Sequence, residues 1–210
     1  FGDGAGAVVV EESKKEEDGE IFTFVNGLSS DKLDILEVPN FGSAMDRFSK
    51  DEAARVRWTF DGQEIFKGGI RAMAKASDEV ITKSGLKKED INLLIPHQAN
   101  LRIVEGLEKM LSLPNATTIK KVHKYGNTSA ASIPTALVDA LEEGEIKGGE
   151  VAVFTAVGAG LSWGACALRL GERTTPINTS DAKLPDFDGK AVDTIRKAIE
   201  YQIPEKLDLI

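Results

Sequence analysis

The chain has one cysteine, two histidines and few aromatic residues, and each scarcity narrows what it can be. Cys166 alone cannot form a disulfide within the chain, which fits a reducing, cytoplasmic setting. His97 and His123 are the only histidines, and no Cys/His/Asp cluster has ligand spacing, so no metal centre is expected. No apolar run approaches the roughly 18 residues needed to cross a bilayer, so no membrane association is expected. Basic residues number 26 against 34 acidic ones, and the net charge of −8 argues against a general nucleic-acid binder. Such a charge would also repel an acidic partner unless basic residues gather locally. The first residue, Phe1, is not Met and no basic-plus-apolar leader follows it, so no signal peptide is expected and the chain reads as a fragment. Without a secretory signal, the N-x-S/T sequences at Asn115, Asn127 and Asn178 read as coincidence.

What is present suits a soluble globular protein: 210 residues, 41% hydrophobic, enough for one domain or one and a half. Gly2-Asp3-Gly4-Ala5-Gly6 predicts a tight turn entering a buried strand at residues 7–10. A charged tip over 11–20 separates it from a returning strand at 21–25, and residues 26–57 read as a long loop with one short helix. Ile65, Ile70, Met73, Ala76, Val80 and Ile81 recur at helical spacing and predict a helix over 65–84, capped by Gly85. A short apolar strand at 91–95 runs into Pro96-His97-Gln98-Ala99-Asn100. A second helix follows, with Leu101, Val104, Leu107 and Leu111 on one face. Residues 119–122 predict a strand, 123–132 a polar turn opening a helix through Leu141, and 151–157 and 163–170 two further strands. Helices alternating with buried strands imply a layered α/β fold. Beyond Leu170 the chain becomes polar, with Pro176 and Pro185, and then predicts a short final helix from Ala191 to Ile199.

Both histidines lie at strand-to-turn junctions. His97 directly follows a strand, and ligands gather at the carboxyl ends of strands in α/β sheets. Asn127 comes thirty residues later, after another predicted strand, in Gly126-Asn127-Thr128-Ser129. Their shared capacity is hydrogen-bond donation, and two such donors aimed at a thioester oxygen would stabilise an enolate or oxyanion. Pattern alone allows His97 to be a structural residue and Asn127 a turn residue or helix cap. Gly158-Ala159-Gly160 is no dinucleotide motif, because Gly164 falls one residue late and a strand follows. Its backbone N–H groups suit an oxyanion hole better. Cys166, in Gly164-Ala165-Cys166-Ala167-Leu168, reads as a core cysteine rather than a nucleophile.

The segments Pro96-His97-Gln98-Ala99-Asn100-Leu101-Arg102-Ile103 and His123-Lys124-Tyr125-Gly126-Asn127-Thr128-Ser129-Ala130-Ala131-Ser132-Ile133-Pro134 closely resemble β-ketoacyl-acyl carrier protein synthase III. Phe1-Gly2-Asp3-Gly4-Ala5-Gly6-Ala7 and 158–164 match its other signature stretches, so the resemblance runs from Phe1 to about Leu170. It implies a thiolase-like α/β fold, five αβαβα layers built from two similar halves. Residues 1–11 would be the last strand of the N-terminal half, 12–170 the C-terminal half, and 171–210 an extension with a short helix. The nucleophilic cysteine would lie in the N-terminal half, outside this chain.

By the same resemblance the substrates are an acyl-CoA and malonyl-acyl carrier protein, with no cofactor, and the complete enzyme is a homodimer. His97 and Asn127 correspond to the catalytic pair that holds the malonyl thioester carbonyl while carbon dioxide leaves. The Ala159 N–H corresponds to an oxyanion-hole donor. Gly62, Phe66, Asn100 and Ile103 correspond to the pantetheine channel, and Lys67, Arg102 and Lys109 to a basic patch that docks acyl carrier protein. Three departures stand out: Gln63 where a shorter amide is common, Val157 and Ala159 in place of Phe and Gly, and the 40 residues after Leu170, longer than usual. A family relative of specialised metabolism, or a non-catalytic half-domain that binds a partner, is the competing expectation.

Overall fold

The computed structural model describes residues 1–15, 18–31, 33–37, 59–176, 193 and 196. The chain divides into two compact units, Phe1–Thr175 and Pro176–Ile210. In the second, Asp193 and Arg196 are both helical; the rest of the helix expected over 191–199 lies outside the described residues.

The first unit is built on a mixed sheet. Strand β1 (Glu20–Leu28) pairs antiparallel with β7 (Ser162–Arg169), and β7 pairs antiparallel with β6 (Val151–Gly158). Strand β4 (Leu93–Pro96) lies parallel to β6 on one side and to the two-residue β5 (Thr117–Thr118) on the other. The order across the sheet is therefore β1-β7-β6-β4-β5, with a separate ribbon of β2 (Leu36–Glu37) and β3 (Thr59–Phe60).

Helix α1 (Gly62–Lys83) starts where Asp61 Oδ1 accepts the N–H groups of Gln63 and Glu64, two donors that the first turn leaves without intrahelical partners. Its buried face, Ile70, Met73, Ala76, Val80 and Ile81, packs with Ile103, Leu107 and Leu111 of α2 (Leu101–Leu111) on one side of the sheet. Helix α4 (Ser132–Glu142) places Ala136 and Ala140 on the other side. Strand β4 serves both cores: Leu94 faces the first, Leu93 and Ile95 the second, and all three are buried. The result is an α/β/α layering in which successive residues of a strand alternate between two cores.

Four local expectations are corrected. Residues 7–10 form no strand, and Val8, Val9 and Val10 are 72%, 92% and 72% exposed. A strand needs a neighbouring edge, and none of the described strands pairs with them. The strand expected over 119–122 is displaced: β5 is Thr117–Thr118, Val122 already opens a helix, and the Lys121 and Val122 N–H groups donate to Gln98 Oε1 instead of to a sheet neighbour (2.8 and 3.2 Å). Leu101 opens α2 with 46% exposure rather than joining its apolar face. The loop expected over 26–57 falls mostly outside the described residues, but β1 reaches Leu28 and a 3-10 turn spans Leu33–Ile35.

Candidate functional site

His97 sits one residue beyond β4, and its N–H donates to the Thr155 carbonyl of β6 (2.8 Å), so its backbone is held by the neighbouring strand. The next residue, Gln98, is 2% exposed. Its Nε2 donates to the carbonyls of Pro96 (2.7 Å) and Ile119 (3.1 Å), while Oε1 accepts from Lys121 and Val122. A buried amide making four hydrogen bonds is fully satisfied, and it staples the His97 turn to the segment that leads to Asn127.

That segment forms α3 (Val122–Tyr125) and is anchored from behind by ion pairs. Lys121, 5% exposed, reaches Glu143 (2.6 Å) and Glu145 (2.9 Å) beyond α4. Burial works against its charge, but the two carboxylates outweigh burial and raise its pKa. Lys124 pairs with Glu143 and with Asp139 (3.0 Å), and the Tyr125 hydroxyl donates to Asp139 (2.9 Å). Gly126 then adopts φ +68°, which a side chain would strain, and delivers Asn127.

Asn127 and His97 meet the same turn. Asn127 Oδ1 accepts the Ser129 N–H (2.9 Å), and His97 Nδ1 lies 2.6 Å from Ser132 Oγ, three residues further on. With Oδ1 already hydrogen-bonded, what Asn127 has to offer a ligand is its Nδ2 donors. Burial holds the His97 pKa below its ordinary value, so the ring is neutral near pH 7. The arrangement offers neutral N–H donors. The N-terminal segment crosses this turn as well: the Gly2 N–H donates to the Asn127 carbonyl (2.8 Å), and Gly4 lies against Thr128 and Ala131.

The remaining expected residues are spread over other elements. Ala159 is exposed in the β6–β7 turn, where its carbonyl accepts from the Ser162 N–H and hydroxyl. Gly62 is the exposed first residue of α1; Phe66, half-buried, packs against the larger core, and Ile103 is buried within it. Asn100 caps α2, its Oδ1 accepting the Ile103 N–H (3.0 Å). Arg102 and Lys109, seven residues apart on α2, line one open hollow of about 450 Å³ with Glu105, Gly106, Glu108 and Lys120; Lys67 stands exposed on α1 and does not line it. Cys166 is half-buried in β7, its pKa is raised by burial, and its sulfur lies 3.9 Å from the Ala167 carbonyl, the opposite of a thiolate-stabilising setting.

Sequence reasoning missed Gln98, Ser129 and Ser132. All three lie in motifs it singled out, but a polar residue beside a turn reads as solvated, and only the fold shows Gln98 and Ser132 to be buried.

Residues 81–170 match the family described as 3-oxoacyl-[acyl-carrier-protein] synthase III C terminal. The chain is 46% identical over 206 residues to β-ketoacyl-[acyl-carrier-protein] synthase III 2 of Vibrio cholerae, covering 96% of this chain and 55% of that protein. By sequence and fold, the chain is similar to the C-terminal half of β-ketoacyl-[acyl-carrier-protein] synthase III. It spans about half the length of the curated relatives it matches. The crystal structure of the Aquifex aeolicus synthase III superposes with a TM-score of 0.61 at 36% identity, over 75% of this chain and 46% of that one. The priming β-ketosynthase of the R1128 polyketide pathway gives 0.66 at 30% identity, over 73% and 46%. The three layers are therefore part of a thiolase-like fold. The Vibrio match covers so much of the chain that it must take in most of the residues after Leu170, so that extension is shared rather than peculiar to this sequence.

Proposed function

We propose that the complete protein containing this chain is a β-ketoacyl-acyl carrier protein synthase III. It would join an acyl-CoA primer to malonyl-acyl carrier protein by decarboxylating Claisen condensation, the step that starts fatty-acid synthesis. The observation that carries this reading is the anchoring of His97 and Asn127 on one turn, through Ser132 and Ser129, with donor N–H groups left for a ligand.

In the proposed reaction the malonyl C–C bond breaks and carbon dioxide leaves. The electron pair passes to the thioester as an enolate, whose oxygen takes hydrogen bonds from His97 and Asn127. The enolate carbon then attacks the acyl group on a cysteine thioester, the C–S bond breaks, and the thiolate departs. Cys166 is buried too unfavourably for that thiolate, so the nucleophile is assigned to a part of the protein outside this chain. The Ala159 N–H would receive the oxyanion of the second step. Residues 1–11 would complete a strand of the N-terminal half, which agrees with the exposure of Val8–Val10 and with their pairing to none of the described strands.

The hollow bearing Arg102 and Lys109 supports docking of an acidic carrier protein despite the net charge of −8. The pantetheine arm would then pass Gly62, Phe66, Asn100 and Ile103. No cofactor enters this scheme, and the assembly would be a cytoplasmic homodimer. A second reading, a priming synthase of specialised metabolism, is favoured by the likeness to the R1128 enzyme; primer assays with a panel of acyl-CoAs separate the two.

Substituting His97 or Asn127 by Ala in the complete protein is expected to lower malonyl decarboxylation about 10²–10³-fold, the usual effect of losing one oxyanion donor. Cysteine acylation, read by intact mass after incubation with acetyl-CoA, should persist. Undiminished decarboxylation in both variants would remove the role assigned to the pair.

A further inference from the structure

We propose that Ser132 is a positioning residue that fixes the His97 tautomer, holding the ring proton on Nε2. This rests on the synthase reading only for its purpose; the tautomer itself follows from the hydrogen bonds. Ser132 Oγ accepts the Gln98 backbone N–H (3.2 Å) and lies 2.6 Å from His97 Nδ1. The hydroxyl is on a residue only 2% exposed, so its hydrogen needs a protein acceptor. Among the described residues His97 Nδ1 is the acceptor it meets.

The two tautomers are therefore unequal. If Nδ1 carried the proton it would donate to Ser132 Oγ, and the serine hydrogen would be buried without a partner. If Nδ1 is bare, the serine donates to it, the Gln98 N–H keeps its acceptor, and Nε2 carries the single ring proton. Every buried donor and acceptor in the chain Gln98–Ser132–His97 is then satisfied. Gln98 is itself locked by four side-chain hydrogen bonds, so the serine is oriented by a rigid neighbour. Asn127 is also oriented from this stretch, its Oδ1 accepting the Ser129 backbone N–H. The entry to α4 thus presets both members of the pair as donors before any substrate arrives.

The test is nitrogen NMR on the protein labelled with 15N-histidine, with the His97 signals assigned by their loss in His97→Gln. The expected wild-type spectrum at pH 7 shows one neutral tautomer at His97, with Nε2 protonated and Nδ1 bare. Ser132→Ala is expected to move both nitrogen shifts toward a mixture of tautomers, and Ser132→Thr, which keeps the hydroxyl, to restore the single form. In the complete enzyme Ser132→Ala should lower kcat for decarboxylation with little change in KM. A wild-type ring protonated on Nδ1 would overturn the proposal even if no variant folds, and so would an unchanged tautomer in folded Ser132→Ala. Decarboxylation by His97→Ala tests the synthase reading separately, so failure of one is told apart from failure of the other.

Discussion

Two acid-side transitions are built into this chain at single residues. The His97 ring is held below its ordinary pKa of 6.5 by burial, so its charged form is disfavoured in the fold. Above pH 6.5 the ring is neutral in both folded and unfolded chains. As pH falls below 6.5 the unfolded chain takes up its proton first, and stability declines until the folded ring also titrates. Glu143 behaves in the complementary carboxylate manner. Hydrogen bonds from Lys121 and Lys124 hold its pKa down at about 2, against an ordinary 4.5. The stability it contributes is present above pH 4.5 and lost as pH falls from there toward 2. Urea midpoints measured from pH 7 to 3 should therefore fall in two stages. His97→Gln should flatten the stage that begins at pH 6.5, and Glu143→Gln the stage below 4.5. A single stage removed by neither variant would refute both assignments.

At the scale of elements, the segment carrying Asn127 is held from two sides. Ion pairs to the far end of α4 lie behind it, and the glycine-rich N-terminal segment lies across it. A side chain at Gly2 would run into the Tyr125 carbonyl oxygen, and one at Gly6 would come within 2.5 Å of Pro134. Gly2→Ala is expected to detach the segment locally. Hydrogen exchange should speed up at residues 2 and 127–129, while the global unfolding free energy changes by less than about 0.5 kcal/mol, as for other surface changes. Ala5→Ser, at an exposed position between the contacts, should leave exchange unaltered. Unchanged protection in Gly2→Ala would show that the crossing segment does not restrain the turn.

The same segment shows what the sequence could and could not reveal. Helices α1 and α2 were legible because their apolar residues follow a single period, and β6 and β7 because they are short apolar runs bounded by glycine. The position of β5 was not legible: no strand follows it at 121–122, where a side-chain amide at Gln98, some twenty residues away, takes the two backbone donors. Residues 7–10 have the composition of a strand, but composition cannot supply the neighbouring edge. For the site, His97 stood out at a strand end; Asn127 stood out by its motif although it follows a helix and not the expected strand, and Ser132 looked like an ordinary helix opener until the fold placed it against the imidazole.

At the scale of the whole molecule, several large apolar side chains remain uncovered. Val8, Val9 and Val10 are exposed, and along β1 Phe24 and Leu28 are 70% and 66% exposed. Strand β1 is also the end of the sheet, paired with β7 on one side only among the described strands, and open edges of this kind invite pairing with another chain. Covering a Val, Leu or Phe side chain is worth about 1.5–3 kcal/mol, so several together supply a strong drive for association. The 210-residue chain produced alone is expected to bind a hydrophobic dye and to grow in mean mass with concentration in light scattering. Co-expression with the preceding half of a full-length relative should suppress both effects, because that half would cover the same surface. A monodisperse monomer that binds no dye would mean that this surface is covered from within the chain, and would leave the non-catalytic half-domain as the better account of what this polypeptide does by itself.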